Sequence, residues 1–420
     1  MLNKTKQSDP KLYEIMVKEY ERQARNIEMI ASESTVPVEI MELSGSIFTN
    51  KTLEGYPGKR FQAGSHVADE LEILANERGK ELFGCDHINI QPYSGSSANY
   101  AVYAAILEPG DTILSMKLDQ GGHLSHGSKA NFMSGFYNFE HYSIHKETEQ
   151  IDYEGLEKQA RELKPKLIIA GGSAYPRLID FERIAEIAKE VGAYFMVDMA
   201  HIAGLVAAKV IPSPVPHADF VTSSTTKTFG GPRAGFIMCK EKYAKILDRG
   251  VFPGSLGSMH LTTMAAKCWL FEYAASSKFK EIMEQIPKNA KVLAEELEHY
   301  GFRIVSGGTD THIVLVDLRP KNITGKDFDH ALDSIGITVN MNQIPFDPQG
   351  PMVTSGVRIG LTSTTQRGLR EKEIKQIASI MNRVAENIDN TEELDKLREE
   401  ATELIGQFPL YSEEDRQEIL

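Results

Sequence analysis

The chain has 420 residues, of which 41% are hydrophobic, and a formal net charge of −13. This length predicts two domains, and the acidic charge excludes nucleic acid and anionic membranes as main partners, because both require basic surfaces. The segment from Met1 to Pro10 has no apolar core and predicts no signal peptide, while the apolar stretch 202–208 is too short to span a bilayer. Three cysteines without metal-ligand spacing predict reduced thiols, no metal site and a cytoplasmic location.

In chain order, the spacing of Leu12, Ile15, Met16 and Tyr20 predicts an N-terminal helix within residues 10–30. Two further helices are expected, one at 68–83 and an apolar one that ends at residue 107. Short apolar runs then alternate with turns and helical stretches, at 112–116, 167–170, 194–197, 220–222 and 235–239. Such alternation predicts an α/β fold with a mainly parallel sheet and helices on both faces.

The last third of the chain has a different pattern. A long helical segment is expected from residue 254 to 300, followed by strands at 302–306, 312–317 and 337–340 between helices. This pattern predicts a smaller C-terminal α/β domain, with a border inside or beside a helix. We therefore expect an N-terminal helical arm at 1–48, a large domain at 49–285 and a small domain at 286–420.

Two polar residues follow apolar runs in the large domain. Asp198 ends the run Tyr-Phe-Met-Val, and Lys227 lies in the polar loop after Val221. A lysine amine can bind the aldehyde of pyridoxal 5′-phosphate (PLP), and a carboxylate can keep its ring nitrogen protonated. Ser173 also follows an apolar run, and in α/β sheets ligands gather at the carboxyl ends of strands. The alternative is an aspartate that caps a helix and a surface lysine.

Four other features have a functional and a structural interpretation. Ser94 to Asn99 suits either a phosphate at a helix N-terminus or a serine-rich cap. Arg358 suits either a substrate carboxylate or an edge strand facing water. Glu54, in a loop rich in glycine and proline, is either a general acid or base or a solvated charge. His123 could stack on a planar ring or be satisfied by local hydrogen bonds.

Taken together, these residues resemble the serine hydroxymethyltransferase family of fold-type I PLP enzymes over nearly the whole chain. The motifs that carry the resemblance are Asn50-Lys51, Glu54-Gly-Tyr-Pro-Gly-Lys-Arg60, Gly121-Gly-His-Leu124, Ser173-Ala-Tyr175, Val197-Asp-Met-Ala-His-Ile-Ala-Gly-Leu-Val-Ala-Ala208, Gly231-Pro-Arg233 and Thr354-Ser-Gly-Val-Arg-Ile-Gly360. The fold that this resemblance implies has a large domain with a mainly parallel sheet and a smaller C-terminal domain.

The resemblance also implies the site residues. Lys227, Glu54 and His201 would be catalytic, with Glu54 supplied by the neighbouring subunit. The residues that would bind the cofactor are Ser94, Gly95, Ser96, His123, Ser173, Asp198, His201, Ser224, Lys227 and Gly257, the last from the turn whose glycines reach the partner's phosphate. The residues that would bind the substrate are Ser32, Arg358, Thr52 and Gln62.

The family reaction moves the hydroxymethyl group of serine to tetrahydrofolate and leaves glycine, in one-carbon and amino acid metabolism. The resemblance therefore implies an enzyme that acts at the Cα or Cα–Cβ bond of a small amino acid through an external aldimine. It also implies a homodimer with shared active sites, or a tetramer built from it.

Several positions depart from the family pattern. Two tyrosines near the substrate and folate are replaced by Phe61 and Gln62, and a third nearby by Thr52. The other departures are Ser34, Thr226, Leu256-Gly-Ser-Met259 and Gly360-Leu-Thr-Ser363. Losing the phenols argues against tetrahydrofolate as a second cofactor. The alternative function is a folate-independent relative, such as a 3-hydroxy amino acid aldolase, a transaldolase or an amino acid racemase. A catalytically silent binding subunit would not need Lys227, Asp198 and Arg358 together.

Overall fold

The computed structural model describes all 420 residues, which fold as two compact units. The large unit comprises residues 39–284, and the small unit comprises residues 1–38 together with 285–420. No helix in either unit combines the length and the apolar character that a membrane span requires.

The chain forms sixteen α-helices and fifteen strands, along with short 3₁₀ turns. The helices are α1 (Asn3–Ser8), α2 (Pro10–Arg25), α3 (Val38–Ser44), α4 (His66–Phe83), α5 (Gly95–Ile106), α6 (Tyr153–Leu163), α7 (Phe181–Val191), α8 (Ala203–Ala207), α9 (Ala244–Val251), α10 (Leu261–Ala274), α11 (Ser277–His299), α12 (Gly325–Ser334), α13 (Thr362–Gln366), α14 (Glu371–Glu386), α15 (Thr391–Gly406) and α16 (Glu413–Ile419). The strands are β1 (Ile27–Glu28), β2 (Gly55–Tyr56), β3 (Lys59–Arg60), β4 (His87–Asn89), β5 (Thr112–Met116), β6 (Asn138–Tyr142), β7 (Leu167–Ala170), β8 (Tyr194–Asp198), β9 (Phe220–Ser224), β10 (Gly235–Cys239), β11 (Arg303–Ile304), β12 (Ile313–Asp317), β13 (Ile337–Thr338), β14 (Asn340–Asn342) and β15 (Gly356–Gly360).

The large unit is built on a seven-stranded sheet in the order β4-β10-β9-β8-β7-β5-β6. Only β10 is antiparallel to its neighbours, so the sheet is mainly parallel. Its central strands are apolar on both faces because helices cover both sides, and every residue of β7 and β10 is buried. This architecture confirms the α/β fold that the sequence predicts.

Glycines allow two pairs of helices in the large unit to approach closely, α5 with α9 and α4 with α10. A Cβ atom added at Gly250 of α9 would lie 2.6 Å from the Cβ of Ala105 on α5. A Cβ atom at Gly79 of α4 would lie 2.7 Å from Ile88 and 3.1 Å from Phe271 of α10. Small residues at these positions therefore allow the helices to approach closely and bury their apolar faces.

The small unit contains an antiparallel sheet in the order β11-β12-β15-β14. The N-terminal segment belongs to this unit, because β1 pairs in parallel with β13 through Ile27 and Ile337. Gly360, at the end of β15, accommodates the backbone of Ala31, which a side chain at this position would overlap. The turn that contains Ala31 is thus packed directly against the carboxyl end of β15.

The long helical segment expected over residues 254–300 is two helices, α10 and α11, with a break at residues 275–276. The break has a local cause, since the side chain of Ser276 accepts a hydrogen bond from the backbone N–H of Phe279. Strand β6 was absent from the sequence expectations. It is an exposed edge strand with alternating polar residues, which lacks the continuous apolar run that marks the central strands.

A buried ion pair anchors the short hairpin of β2 and β3. The guanidinium of Arg60 donates to Glu72 of α4, to Asp69 at 2.7 Å and to the carbonyl of Gly55. The side chains of Arg60 and Glu72 are each only 2% exposed. Gln91 donates to both Glu72 and Gly55, at 2.8 Å and 3.0 Å. These contacts hold the hairpin to α4 through charged groups that water does not reach.

Replacing Glu72 with Gln should destabilise the large unit, because Arg60 would keep its charge and lose a buried carboxylate partner. Breaking a buried ion pair costs about 3 kcal/mol or more, which for a unit of this size lowers the melting temperature by roughly 6–12 °C. Thermal unfolding followed by circular dichroism measures the change. The matched control is Glu70→Gln on the exposed side of the same helix, and equal melting temperatures for both variants would contradict the anchoring role.

Candidate functional site

Polar loops follow four adjacent parallel strands at one edge of the large sheet. His123 follows β5, Ser173 follows β7, Asp198 ends β8 and Lys227 follows β9. Since β5, β7, β8 and β9 are neighbours in the sheet, their carboxyl ends and these loops lie side by side. This is the edge at which α/β sheets bind ligands.

Asp198 is the most constrained side chain at this edge. Its Oδ2 accepts hydrogen bonds from Asn99 Nδ2 at 2.8 Å and from His126 Nε2 at 3.1 Å, and its Oδ1 accepts one from the backbone N–H of Ala200 at 3.0 Å. A carboxylate can only accept, so His126 must carry a proton on Nε2. These three bonds leave one of the roughly four acceptor positions of the carboxylate for a further donor.

The charge state of Asp198 results from two opposing effects. Burial alone would raise the pKa of this carboxyl group. The hydrogen bond and charge of His126 lower it, as do the charges of His123 and Lys227, and the pKa of Asp198 ends well below its ordinary 3.8. Asp198 is therefore a buried carboxylate that remains ionised at neutral pH.

A second layer of hydrogen bonds orients these donors. Asn99 Nδ2 also donates to Ser125 Oγ at 2.9 Å, and Asn99 Oδ1 accepts from Thr222 Oγ1 at 2.6 Å. Ser125 Oγ is 2.7 Å from His123 Nδ1. Ligand atoms of His123, His126 and Asp198 lie within 4.8 Å of one another. The loop after β5 and the carboxylate of β8 thus form one polar cluster, with Asn99 of α5 at its base.

The approach of the β7 loop to β8 requires glycine. Gly171 has φ of +116°, and a Cβ atom there would overlap the carbonyl oxygen of Asp198. Only a residue without a side chain fits both the conformation and the space. Ser173 follows, and its Oγ donates to the carbonyl of Gly122 at 2.8 Å, which ties this loop to the one that carries His123.

The start of α5 has the features of an anion site. Ser94 caps the helix through its Oγ, which accepts from the N–H of Ser97 at 3.1 Å. The first N–H groups of a helix have no partner within it, and the helix dipole makes this end positive. Gly95 lies against the carboxyl end of β9, because a Cβ atom there would be 3.5 Å from Ser224. Ser94, Gly95, Ser96 and Ser224 are therefore grouped as a cradle of small and hydroxylated residues.

Lys227 begins a 3₁₀ turn, Lys227–Phe229, with φ of +59°. A non-glycine residue in this left-handed region costs about 1–3 kcal/mol, and such strain is concentrated at functional sites. The buried Thr228 holds the turn in place. Its Oγ1 donates to the carbonyl of His201 at 2.8 Å and accepts from the N–H of Gly204 at 3.0 Å. The loops that carry Lys227 and His201 are thereby joined.

This donor set suits PLP. Asp198 is an ionised acceptor for a protonated ring nitrogen, Lys227 is an amine for the aldehyde, and the start of α5 supplies N–H and hydroxyl groups for a phosphate. The roles of the individual residues remain predictions, although the side chains have the chemistry that each role requires.

A second group of expected site residues lies together elsewhere in the large unit. Gln62 hydrogen-bonds Glu54 twice, and a Cβ atom at Gly257 would be 3.6 Å from Glu54 Oε1. Thr52 is exposed two residues before Glu54. Phe61 is 75% exposed and makes an edge contact with the ring of Phe252, at 5.6 Å between centroids.

The two expected carboxylate-binding residues belong to the small unit. Ser32 lies in the turn that precedes α3, and Arg358 lies in the middle of β15. Arg358 Nε donates to Asn340 Oδ1 on β14 at 3.1 Å. Burial lowers the pKa of Arg358 to about 10, which still leaves the guanidinium charged at neutral pH.

Two residues of the polar cluster, Asn99 and His126, received no role from the sequence. Asn99 is the one buried amide in the otherwise small and apolar helix α5, and this isolated polar residue was the signal that could have identified it. His126 lies three residues after His123. The sequence does not indicate which of these two histidines contacts the carboxylate of Asp198 and which is placed to stack on a cofactor ring.

The sequence matches the family model described as serine hydroxymethyltransferase over residues 5–381. The matched range includes most of both units and every expected site residue, from Ser32 to Arg358. The match therefore extends over most of the chain and is not confined to the segment around Lys227.

Replacing His126 with Leu should raise the pKa of Asp198, because burial would no longer be offset by the imidazole. A carboxyl group with a lowered folded pKa stabilises the fold above its unfolded value of about 4, and this contribution is lost as the pH falls through the folded pKa. The loss of thermal stability on acidification should therefore move to higher pH, by about one unit. Melting temperatures between pH 3 and 7 test this, with the exposed His145→Leu as control; superimposable curves would contradict it.

Proposed function

The chain belongs to the serine hydroxymethyltransferase family and is a PLP-dependent transferase, and we propose that it acts at the Cα or Cα–Cβ bond of a small amino acid. The observation that carries the proposal is the buried, ionised Asp198 beside the strand that leads to Lys227. A carboxylate kept charged away from water suits a reaction that needs a protonated ring nitrogen.

When bound, PLP supplies an aldehyde for the substrate amino group and a ring that accepts electrons from the α-carbon. Lys227 holds the aldehyde end through its amine. Asp198 keeps a proton on the ring nitrogen, and His126 and Asn99 keep Asp198 in position and ionised. His123 would cover the face of the ring.

The remaining cofactor contacts follow from the family resemblance and from the cradle at α5. Ser94, Gly95, Ser96 and Ser224 bind the phosphate, joined by Gly257 of a second subunit. By the same resemblance, Ser173 and His201 would hydrogen-bond the ring oxygen; without the cofactor, the Ser173 hydroxyl donates to the carbonyl of Gly122. His201 is buried, and its backbone carbonyl accepts a hydrogen bond from Thr228, the residue after Lys227.

The family resemblance assigns substrate recognition to the following residues. Arg358 and Ser32 bind the substrate carboxylate, for which a charged and largely buried guanidinium is suited. Glu54 exchanges a proton with the substrate side chain from the neighbouring subunit, with Thr52 and Gln62 nearby. This assignment requires a homodimer with shared sites, which a tetramer would also contain.

A folate-independent reaction is the second candidate, such as aldol cleavage of a 3-hydroxy amino acid, transaldol transfer or racemisation. The observation that favours it is the replacement of two family tyrosines by Phe61 and Gln62, which both contact Glu54. Phe61 is 75% exposed and Gln62 is hydrogen-bonded to Glu54, so neither provides the aromatic hydroxyl that the family resemblance associates with the substrate and the pterin.

Lys227→Ala should abolish turnover and the visible absorbance of the covalently held cofactor, because the loop after β9 contains no second amine. Absorbance spectra and a screen of amino acids measure both effects. The control is Lys209→Ala, an exposed lysine with the same left-handed backbone conformation. Retained activity with an unchanged spectrum would refute the assignment of Lys227.

Tetrahydrofolate should stimulate the wild-type enzyme weakly or not at all, while cleavage of a 3-hydroxy amino acid should be measurable without it. The physical reason is the loss of the two phenols at Phe61 and Gln62. Initial rates for serine and for 3-hydroxy amino acids, with and without tetrahydrofolate, provide the measurement. Phe61→Tyr combined with Gln62→Tyr should increase any folate-dependent rate. Efficient serine cleavage saturating at low folate in the wild-type enzyme would show that the plain hydroxymethyltransferase reaction is retained.

A further inference from the structure

Gln62 and Glu54 form a reciprocal pair of hydrogen bonds. The backbone N–H of Glu54 donates to Gln62 Oε1 at 2.8 Å, and Gln62 Nε2 donates to Glu54 Oε2 at 3.1 Å. One amide thus contacts both the main chain and the side chain of the same residue. Because the backbone N–H can only donate, the amide oxygen must face it, which leaves the amide NH₂ group to face the side chain of Glu54.

The segment that carries this pair is anchored at both ends. The backbone N–H of Phe61 donates to the carbonyl of Glu54 at 3.3 Å, which closes the hairpin. Arg60, next to Phe61, is held by its buried contacts with Asp69 and Glu72. The backbone at Glu54 and Arg60 is therefore held by contacts that do not involve the Gln62 amide, and the amide contacts the Glu54 carboxylate directly.

We infer that Gln62 is a positioning residue that orients the Glu54 carboxylate, so that Oε1 is the oxygen that exchanges a proton with the substrate. The amide donates to Oε2, whereas Oε1 lies near Gly257, 3.6 Å from the position that a Cβ atom there would take. This inference rests on the proposed role of Glu54 as the general acid or base. It assigns the amide of Gln62 to Glu54 instead of to the substrate.

A tyrosine at position 62 could not make the same pair of contacts. A phenol has a single oxygen with one proton, whereas the amide has an acceptor and a donor on separate atoms. The separation of these atoms lets Gln62 bridge the N–H and the carboxylate of Glu54. The replacement of a family tyrosine by glutamine thus changes how the acid or base is held, as well as removing a ring.

Gln62→Glu distinguishes this role from a purely structural one. The variant keeps the length of the side chain and an oxygen that accepts from the Glu54 N–H, but it places a second carboxylate against Glu54. At pH 8 the two charges repel each other and the orienting bond is lost. At about pH 5.5 one proton shared between two adjacent carboxyl groups can restore it.

The expected result is a loss in kcat of about 10–100-fold at pH 8, within the range of a general acid–base contribution, with less than about threefold change in KM for the amino acid. Relative to the wild type, kcat should recover severalfold as the pH falls to about 5.5. Gln62→Met, which loses both bonds, should show a loss without recovery. In the Glu54→Gln background, Gln62→Glu should cause little additional loss. Activity within twofold of the wild type at pH 8, or an equal loss at both pH values, would overturn the inference.

Crystal structures of the wild type and of Gln62→Glu at pH 8 test the same inference without activity. The Glu54 carboxylate should rotate away from residue 62 in the variant and keep its reciprocal bonds in the wild type. An unmoved carboxylate would overturn the positioning role even if the enzyme proves active. Conversely, a wild type that turns over no amino acid would refute the proposed function, while a rotated Glu54 would still establish that Gln62 orients it.

Discussion

The arrangement of the large unit depends on keeping one carboxylate ionised where water is excluded. Removing a carboxylate from water raises its pKa, and an uncompensated charge would simply take up a proton. Asp198 avoids this because an imidazole, an amide and a backbone N–H supply hydrogen bonds in the space where water would otherwise be. Those donors come from α5, from the loop after β5 and from the loop after β8 itself. Each of these elements is therefore constrained by the charge of a single side chain.

The backbone conformations of Gly171 and Lys227 are also explained by the packing of loops around Asp198. Gly171 lets the β7 loop touch the backbone of Asp198, and Lys227 accepts an unfavourable backbone conformation at the end of the neighbouring strand. Thr228 offsets part of that strain with two buried hydrogen bonds. The sheet provides the rigid spacing of the strand ends, and the loops supply the chemistry within that spacing.

The sequence predicts most of the sheet because buried parallel strands are continuous apolar runs; β5, β7 and β10 have the expected limits. It does not predict β6, whose side chains alternate at an exposed edge. It predicts Asp198, His123 and Lys227 because each follows an apolar run or lies in a motif. The hydrogen bonds of Asn99 with Asp198 and Thr222, and of Gln62 with Glu54, are not predicted. They depend on how segments pack in three dimensions, which a local sequence pattern does not show. Ser276 shows the same limit for helices, since its capping bond divides a segment that is helical throughout by composition.

The anchored hairpin at Arg60 has a consequence for how such an enzyme can diversify. The guanidinium and its carboxylate partners hold the backbone of the hairpin from inside the protein, independently of the side chains that follow it. The side chains of Phe61 and Gln62 are not part of that ion pair: Phe61 packs against Phe252, and Gln62 hydrogen-bonds Glu54. Substitutions of these two side chains therefore leave the buried ion pair in place, so the residues that follow β3 can change while the hairpin keeps its position. The buried pair thus separates the stability of the hairpin from the identity of the two residues that follow it.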